Sequence, residues 1–176
     1  MSSILAFAGS NSSVSINYKL VHFTARLLND DVRLLNLANY PFPIYSYEEE
    51  LKNGFKNSLI EFSNDIKSAK AIILSVNEHN SNPSAYFKNV IDWLSRVDKN
   101  FLSDTKILLM STSNGKRGAM SALEVTEKLL PRFGGEIIAT FSLPSFSENF
   151  DEEKGIINSE LAEKHLAALN AFKAKL

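Results

Sequence analysis

Short runs of contiguous apolar residues, separated by longer segments whose apolar groups recur at helical spacing, constrain this chain more than any other feature. The runs are Ile4–Ala8, Val32–Leu37, Ala71–Val76, Ile107–Met110 and Ile137–Leu143. They lack the apolar/polar alternation of a strand with one wet face, so each reads as a strand buried on both sides. Between and after them, one-sided apolar faces fall at Leu20, Phe23, Leu27 and Leu28, then at Phe55, Leu59, Phe62 and Ile66. Further faces follow at Tyr86, Phe87, Val90, Ile91 and Leu94, at Leu123, Leu129, Leu130 and Phe133, and at Leu161, His165, Leu169 and Phe172. Five strands alternating with five helices predict βαβ units, and right-handed crossovers turn these into a doubly wound parallel sheet with helices on both faces. In such sheets ligands sit beyond the carboxyl ends of the strands near the switch point. The loops after the first, third and fourth strands are therefore where function is expected.

At 176 residues, 44% of them hydrophobic, the chain is long enough for a sizeable core and is read as one domain spanning residues 1–176. Nineteen Lys and Arg against twenty Asp and Glu give a formal charge of −1. That balance supplies no broad field for nucleic acid or an anionic membrane, so any anion must be held locally. The absence of cysteine excludes disulfides, thiolate metal sites and a catalytic thiol, and leaves redox chemistry to a bound cofactor. Met1 to Ala8 has no signal-peptide pattern, and no segment approaches the roughly 20 apolar residues of a membrane span. A cytoplasmic protein is expected. No His, Asp and Glu residues fall at metal-ligand spacing, and no G-x-S-x-G elbow is present.

The first strand leads into Gly9-Ser10-Asn11-Ser12-Ser13-Val14-Ser15-Ile16-Asn17. Gly9 permits a close turn, Ser10, Ser12 and Ser15 offer hydroxyl donors, and the first amides of the following helix face outward, which together suit a phosphate. The same serines could equally be ordinary N-caps. The loop is neither a Walker sequence nor G-x-G-x-x-G. After the third strand, Asn77-Glu78-His79-Asn80-Ser81-Asn82-Pro83-Ser84 is a polar loop that could present amides and carboxamides to a flat heterocycle, or could simply be a surface turn capped by Ser84. After the fourth, Ser111-Thr112-Ser113-Asn114-Gly115-Lys116-Arg117-Gly118-Ala119 surrounds a basic pair with donors and glycines. The longest irregular stretch, Asn39 to about Gly54, holds Pro41, Pro43, Tyr40, Phe42, Tyr45 and Tyr47, and either lines a site or covers the sheet edge.

In order and spacing, the three loops resemble the NADPH-dependent FMN reductase family of the flavodoxin-like superfamily, whose relatives include quinone, azo-dye and chromate reductases. The family pattern G-S-x-R-x-x-S-x-N is met by Gly9, Ser10, Ser15 and Asn17, with Ser12 at the arginine position. P-E-Y-N-G followed by L-K-N-A-I-D-W is met by Glu78 and Asn80, then by Lys88, Asn89, Ile91, Asp92 and Trp93, while Asn77, His79 and Ser81 replace proline, tyrosine and glycine. S-x-S-x-G is met by Ser111, Ser113 and Gly115, followed by Gly118, with Ala119 where a second glycine is common.

The resemblance implies a five-stranded flavodoxin-like sheet of order 2-1-3-4-5 that holds FMN. Gly9, Ser10, Ser12, Ser15, Ile16 and Asn17 would surround its phosphate. Asn77, Glu78, His79 and Asn80 would run along the isoalloxazine, and Ser111, Thr112, Ser113, Asn114 and Gly115 would approach its other polar edge. It further implies ping-pong transfer from NADPH or NADH to a small-molecule electron acceptor, with the flavin and no side chain carrying the chemistry. Lys116 or Arg117 could meet the 2′-phosphate of NADPH. Helices around Lys88 to Leu94 would join a homodimer or homotetramer contact. An electron carrier without a substrate of its own, or a domain that has lost its flavin, are the rival readings; the second is motivated by Ser12.

Overall fold

The computed structural model describes residues 4–28 and 31–176. Met1 to Ser3, part of the amino-terminal stretch read above, lie outside the described residues. In chain order the elements are β1 (Ile4–Ala8), α1 (Ile16–Arg26), β2 (Val32–Leu35), a 3-10 turn (Leu37–Asn39), α2 (Tyr47–Asn53), α3 (Asn57–Ser68) and β3 (Ala71–Val76). Then come β4 (Glu78–His79), β5 (Asn82–Pro83), α4 (Ala85–Val97), β6 (Lys106–Thr112) and α5 (Met120–Leu129), which a 3-10 turn (Leu130–Phe133) extends. The chain ends with β7 (Glu136–Leu143), α6 (Phe146–Asn149), β8 (Phe150–Asp151), β9 (Gly155–Ile156) and α7 (Ser159–Lys173).

The main sheet has the order β2-β1-β3-β6-β7, and every neighbouring pair in it is parallel. This is the expected 2-1-3-4-5 arrangement; β4–β5 and β8–β9 are small antiparallel hairpins outside it. Every residue of β1 and β3 is buried, whereas the edge strands β2 and β7 expose Arg33, Glu136 and Thr140. Continuous apolar runs thus mark the interior strands, which helices cover on both faces.

Because successive side chains of a strand point to opposite faces, the sheet sorts its residues into two cores. On one face Leu5, Phe7, Ile72, Leu74, Ile107 and Leu109 pack with Leu59, Phe62 and Ile66 of α3, Phe87, Val90 and Leu94 of α4, and Leu123 of α5. On the other, Ile4, Ala6, Ala8, Ile73, Leu108 and Met110 pack with Leu20 and Val21 of α1 and Leu169 and Phe172 of α7.

Two local expectations change. The second strand ends at Leu35 rather than Leu37, because the Asn36 side-chain oxygen accepts the Ala38 amide at 3.0 Å and turns the chain into the 3-10 segment. The stretch from Asn39 to Gly54 is not wholly irregular, since it contains α2. That helix is capped by Ser46, carries Glu48, Glu49 and Glu50 in its first turn where the helix dipole favours anions, and stops at Gly54 with φ of 62°. None of its residues is buried. Among the described residues no helix is long and apolar enough to cross a membrane, and no group of three or more His, Asp or Glu could hold a metal ion.

Candidate active site

The three loops singled out in the sequence leave the carboxyl ends of β1, β3 and β6, which are adjacent in the sheet. At the first, the Gly9 amide donates to Ser75 O at 2.9 Å and its carbonyl accepts Ser84 Oγ at 3.1 Å. A Cβ at Gly9 would stand 2.5 Å from the Phe87 ring, so only glycine lets the loop lie this close to α4. Ser10 Oγ accepts the Ser12 amide, Ser12 Oγ the Val14 amide, and Ser15 Oγ caps α1 by accepting the Tyr18 amide, at 3.2, 3.3 and 3.2 Å. Each hydroxyl therefore spends an acceptor position on the backbone and keeps its O–H to donate. With the first amides of α1, which have no intrahelical acceptor, the loop gathers donors without a formal charge. Ser12, Ser13 and Val14 are exposed, while Ile16 packs against the α1 core.

Asn17 turns inward. It is 2% exposed; its Nδ2 donates to Thr112 O at 3.1 Å, and its Oδ1 accepts the Thr112 amide at 3.1 Å and Ser75 Oγ at 2.7 Å. The side chain thus fastens α1 to the ends of β3 and β6, beneath the three loops.

The second loop is the β4–β5 hairpin. Its central residues Asn80 and Ser81 both adopt positive φ, 52° and 62°, the type I′ pattern that matches strand twist. Ser84 then caps α4 by accepting the Phe87 amide at 3.1 Å. Asn77 Nδ2 lies 3.2 Å from Nε2 of the exposed His79. Asn77 Oδ1 is buried and has no hydrogen-bond partner among the described residues. Glu78 Oε2 accepts the Ala122 amide at 3.0 Å. Ala119, at the N-cap of α5, has no side chain to satisfy that amide, so the carboxylate of the neighbouring loop does.

In the third loop Ser111 and Thr112 are buried and hold the turn: Ser111 Oγ donates to Gly118 O at 2.7 Å and Thr112 Oγ1 to Leu143 O at 2.7 Å. Gly118 has φ of 60°, and a Cβ there would stand 2.9 Å from the Leu143 backbone. Ala119 also sits in the left-handed region, with φ of 63°, at a cost of about 1 kcal/mol that glycine avoids. Ser113, Asn114 and Gly115 reach the surface; Ser113 Oγ accepts the Gly115 amide, and Asn114 Oδ1 accepts the hydroxyl and amide of Ser147.

The run from Lys88 to Trp93 on α4 has a different task. Asn89 Nδ2 and Trp93 Nε1 both donate to Pro43 O, at 2.9 and 2.8 Å, and Asn89 Oδ1 accepts the Tyr45 amide at 2.8 Å. Tyr86 OH reaches the carbonyls of Leu37 and Tyr40, and burial pushes its phenol well above the usual range. Tyr45 OH and Arg96 both donate to Glu50, whose carboxyl the guanidinium holds below the ordinary carboxylate range. The motif helix therefore anchors the 37–54 segment, and within the 88–93 run it is Lys88 and Asp92 that reach solvent, as an i,i+4 pair. Asn89→Ala is expected to cost about 2 kcal/mol by orphaning the Tyr45 amide, with faster hydrogen exchange at that amide as the local readout.

Compared with known families, residues 2–148 match the NADPH-dependent FMN reductases. The chain belongs to that family. Membership makes it an oxidoreductase. An uncharacterised protein of Mycoplasma pneumoniae is 28% identical over 146 residues, 80% of this chain and 86% of that one. A quinone reductase of Escherichia coli is 24% identical over 120 residues, 62% of this chain and 64% of its own length. Among solved structures, a flavoenzyme NAD(P)H:(acceptor) oxidoreductase from Paracoccus denitrificans superposes with a TM-score of 0.79 at 19% identity, covering 98% of this chain and 95% of that one.

Proposed function

We propose that this member of the FMN reductase family binds FMN across its three loops, takes hydride from NADPH or NADH, and passes reducing equivalents to a small acceptor such as a quinone. The observation that carries the reading is the convergence of the three loops at the adjacent carboxyl ends of β1, β3 and β6, the second of which holds Asn77 Oδ1 as a buried acceptor without a partner among the described residues. The serine hydroxyls of Ser10, Ser12 and Ser15 suit a phosphate, and Gly115 puts no side chain in the way of approach to the third loop.

FMN, when bound, supplies the centre that accepts and donates hydride. What the chain contributes is placement. The loop after β1 holds the anionic end through hydroxyls, amides and the α1 dipole. Residues 77–80 would hold one side of the ring, and the loop amides of 112–115 would offer fixed dipoles toward the charge gained on reduction. The hairpin is exposed at His79, Asn80 and Ser81 and would leave room for nicotinamide and acceptor in turn; since FMN would supply the hydride chemistry, no side-chain acid or base is assigned. Association with like chains belongs to the same reading: Ile44, Tyr47 and Leu51, in the segment that α4 anchors, are 73%, 59% and 69% exposed.

The deciding measurement is the visible spectrum of protein reconstituted with FMN, desalted, and then mixed with NADPH or NADH without oxygen. Retained absorbance at roughly 450 nm that bleaches on addition is the expected result. Retained flavin that neither nucleotide bleaches marks an electron carrier, and unretained flavin a lost site. Since Ser12 contributes no charge, FMN affinity is expected to change little with salt. Ser12→Arg should tighten it about tenfold and make it salt-dependent, through a charge-assisted contact to the phosphate.

A further inference from the structure

A sheet edge left open is a template for another strand, and the two edges of this sheet are treated differently. β2 is four residues long and carries Arg33, tied to Asp65 of α3. β7 is eight residues long, and after Glu136 none of its side chains is charged. Its register shift lies before Ala139, near its start, and Pro144 follows its last residue. Between those two features Ala139 to Leu143 run as regular strand with β6 on one side only. Every second residue of such a strand turns its N–H and C=O away from the neighbour it pairs with. Among the described residues no backbone hydrogen bond from outside the sheet reaches Ala139 to Ser142.

That open stretch lies in a groove. Helices α5 and α7 pack on opposite faces of the sheet and leave about 700 Å3 between them along Ala139 to Ser142. Met120 and Leu123 form one wall, and Leu161, Ala167 and Ala168 form the other. A strand lying there would send alternate side chains to the two apolar walls. The charge is one-sided: Lys116, Arg117 and Lys164 line the groove, and no carboxylate does. Among the described residues Lys116 and Arg117 enter no ion pair, and Lys164 meets only Glu160, an exposed i,i+4 partner that holds it weakly. In a chain of net charge −1, three cations gathered along one strand edge are a local excess.

We propose that the β7 edge is a docking seat for an extended acidic segment of a partner protein, which adds to the main sheet as a further strand. Its backbone pairs with the open groups of Ala139 to Ser142, its apolar side chains meet the walls from α5 and α7, and its carboxylates meet Lys116, Arg117 and Lys164. The same cations disfavour a second copy of this chain, because a two-fold contact along β7 sets the cations of one copy against those of the other. Docking here needs nothing from the three loops, so it stands or falls apart from flavin binding.

The test titrates the whole chain into a fluorescently labelled, capped octapeptide that alternates valine with glutamate, and follows anisotropy and amide hydrogen exchange. Two control peptides accompany it: one has lysine for each glutamate, and the other has N-methyl groups on its four central amides, which keeps the charges and forbids strand pairing. The acidic peptide is expected to bind at least about tenfold tighter than either control and to slow exchange at the outward amides within Ala139 to Ser142. A Lys116→Glu/Arg117→Glu double variant should weaken it at least about tenfold, and Lys164→Glu should weaken it less. All three residues are exposed, and a thermal melt verifies that the fold survives. Equal binding of the acidic and N-methylated peptides reduces the attraction to charge alone and overturns the strand seat. Equal or tighter binding of the lysine peptide, unchanged exchange along β7, or double-variant affinity within about twofold of the parent overturns it too. So does a mass that doubles with concentration through contact at β7, which makes a second copy the occupant.

Discussion

Replacing Asn17 with alanine is expected to lower the unfolding free energy of the flavin-free protein by about 3–5 kcal/mol, read as a shift of the urea midpoint at constant slope. The magnitude comes from what is left behind. The amide and carbonyl of Thr112 and the hydroxyl of Ser75 all lose their partner in a region where Ser75 is 0% and Thr112 1% exposed. Each orphaned buried group costs about 1–3 kcal/mol, and the loss is larger than deletion of an exposed hydrogen bond. Asn17→Asp distinguishes this account from simple loss of volume. It keeps both acceptor positions, removes the donor to Thr112 O and buries a charge, so it should be no more stable than the alanine variant. A loss below about 1 kcal/mol for Asn17→Ala would mean that water takes over the three groups.

Acid is expected to weaken the fold in a window set by His165. The imidazole is 2% exposed, lies 5.6 Å from the Phe23 ring and 5.0 Å from that of Phe141, and burial alone lowers its pKa to about 4. Its Nε2 is 2.8 Å from Thr24 Oγ1, which itself donates to Leu20 O, so the imidazole donates and is neutral. In the unfolded chain the same group titrates near its ordinary value of 6.5. Between those values the unfolded state binds the extra proton, so stability is whole above pH 6.5 and falls as pH drops toward 4. The full drop is on the order of 3 kcal/mol. The carboxylates whose values are lowered, Glu50 and Glu160 from 4.5 and Asp98 and Asp151 from 3.8, begin to lose their contribution only as pH falls to those values, at the acid end of the His165 window, so the step from pH 7 to 5.5 isolates the histidine. Urea midpoints at pH 7, 5.5 and 4.5 should therefore decline for the parent and stay nearly level for His165→Leu; parallel declines would assign the effect elsewhere.

What could be read from the residues follows from how each element is held. Interior strands announce themselves because burial on both faces demands an unbroken apolar run, and β1, β3 and β6 need nothing else to be found. The caps at Ser15 and Ser84 and the close turn at Gly9 are local chemistry, and they too were legible. Helix α2 was not, because it buries no residue and so carries no apolar period. Asn80-Ser81 is a weaker hairpin signal than a pair ending in glycine, and the polar loop hid two short strands. A motif asparagine such as Asn17 can serve a ligand or a staple, and spacing alone does not distinguish them; its partner Thr112 is far along the chain. A groove along the edge strand β7 lies between α5 and α7, elements whose meeting only the sheet order reveals.

The bond from Glu78 to the Ala122 amide ties the hairpin after β3 to the helix after β6. The two loops proposed to flank the ring are for that reason one jaw and not two. A substitution that shifts the hairpin drags the opposite lip with it, so the gap between them does not widen in small independent steps. A lineage changing the size of acceptor it handles has then to alter both loops together, or first to break the carboxylate tether and give α5 a cap of its own, such as serine or aspartate in place of Ala119.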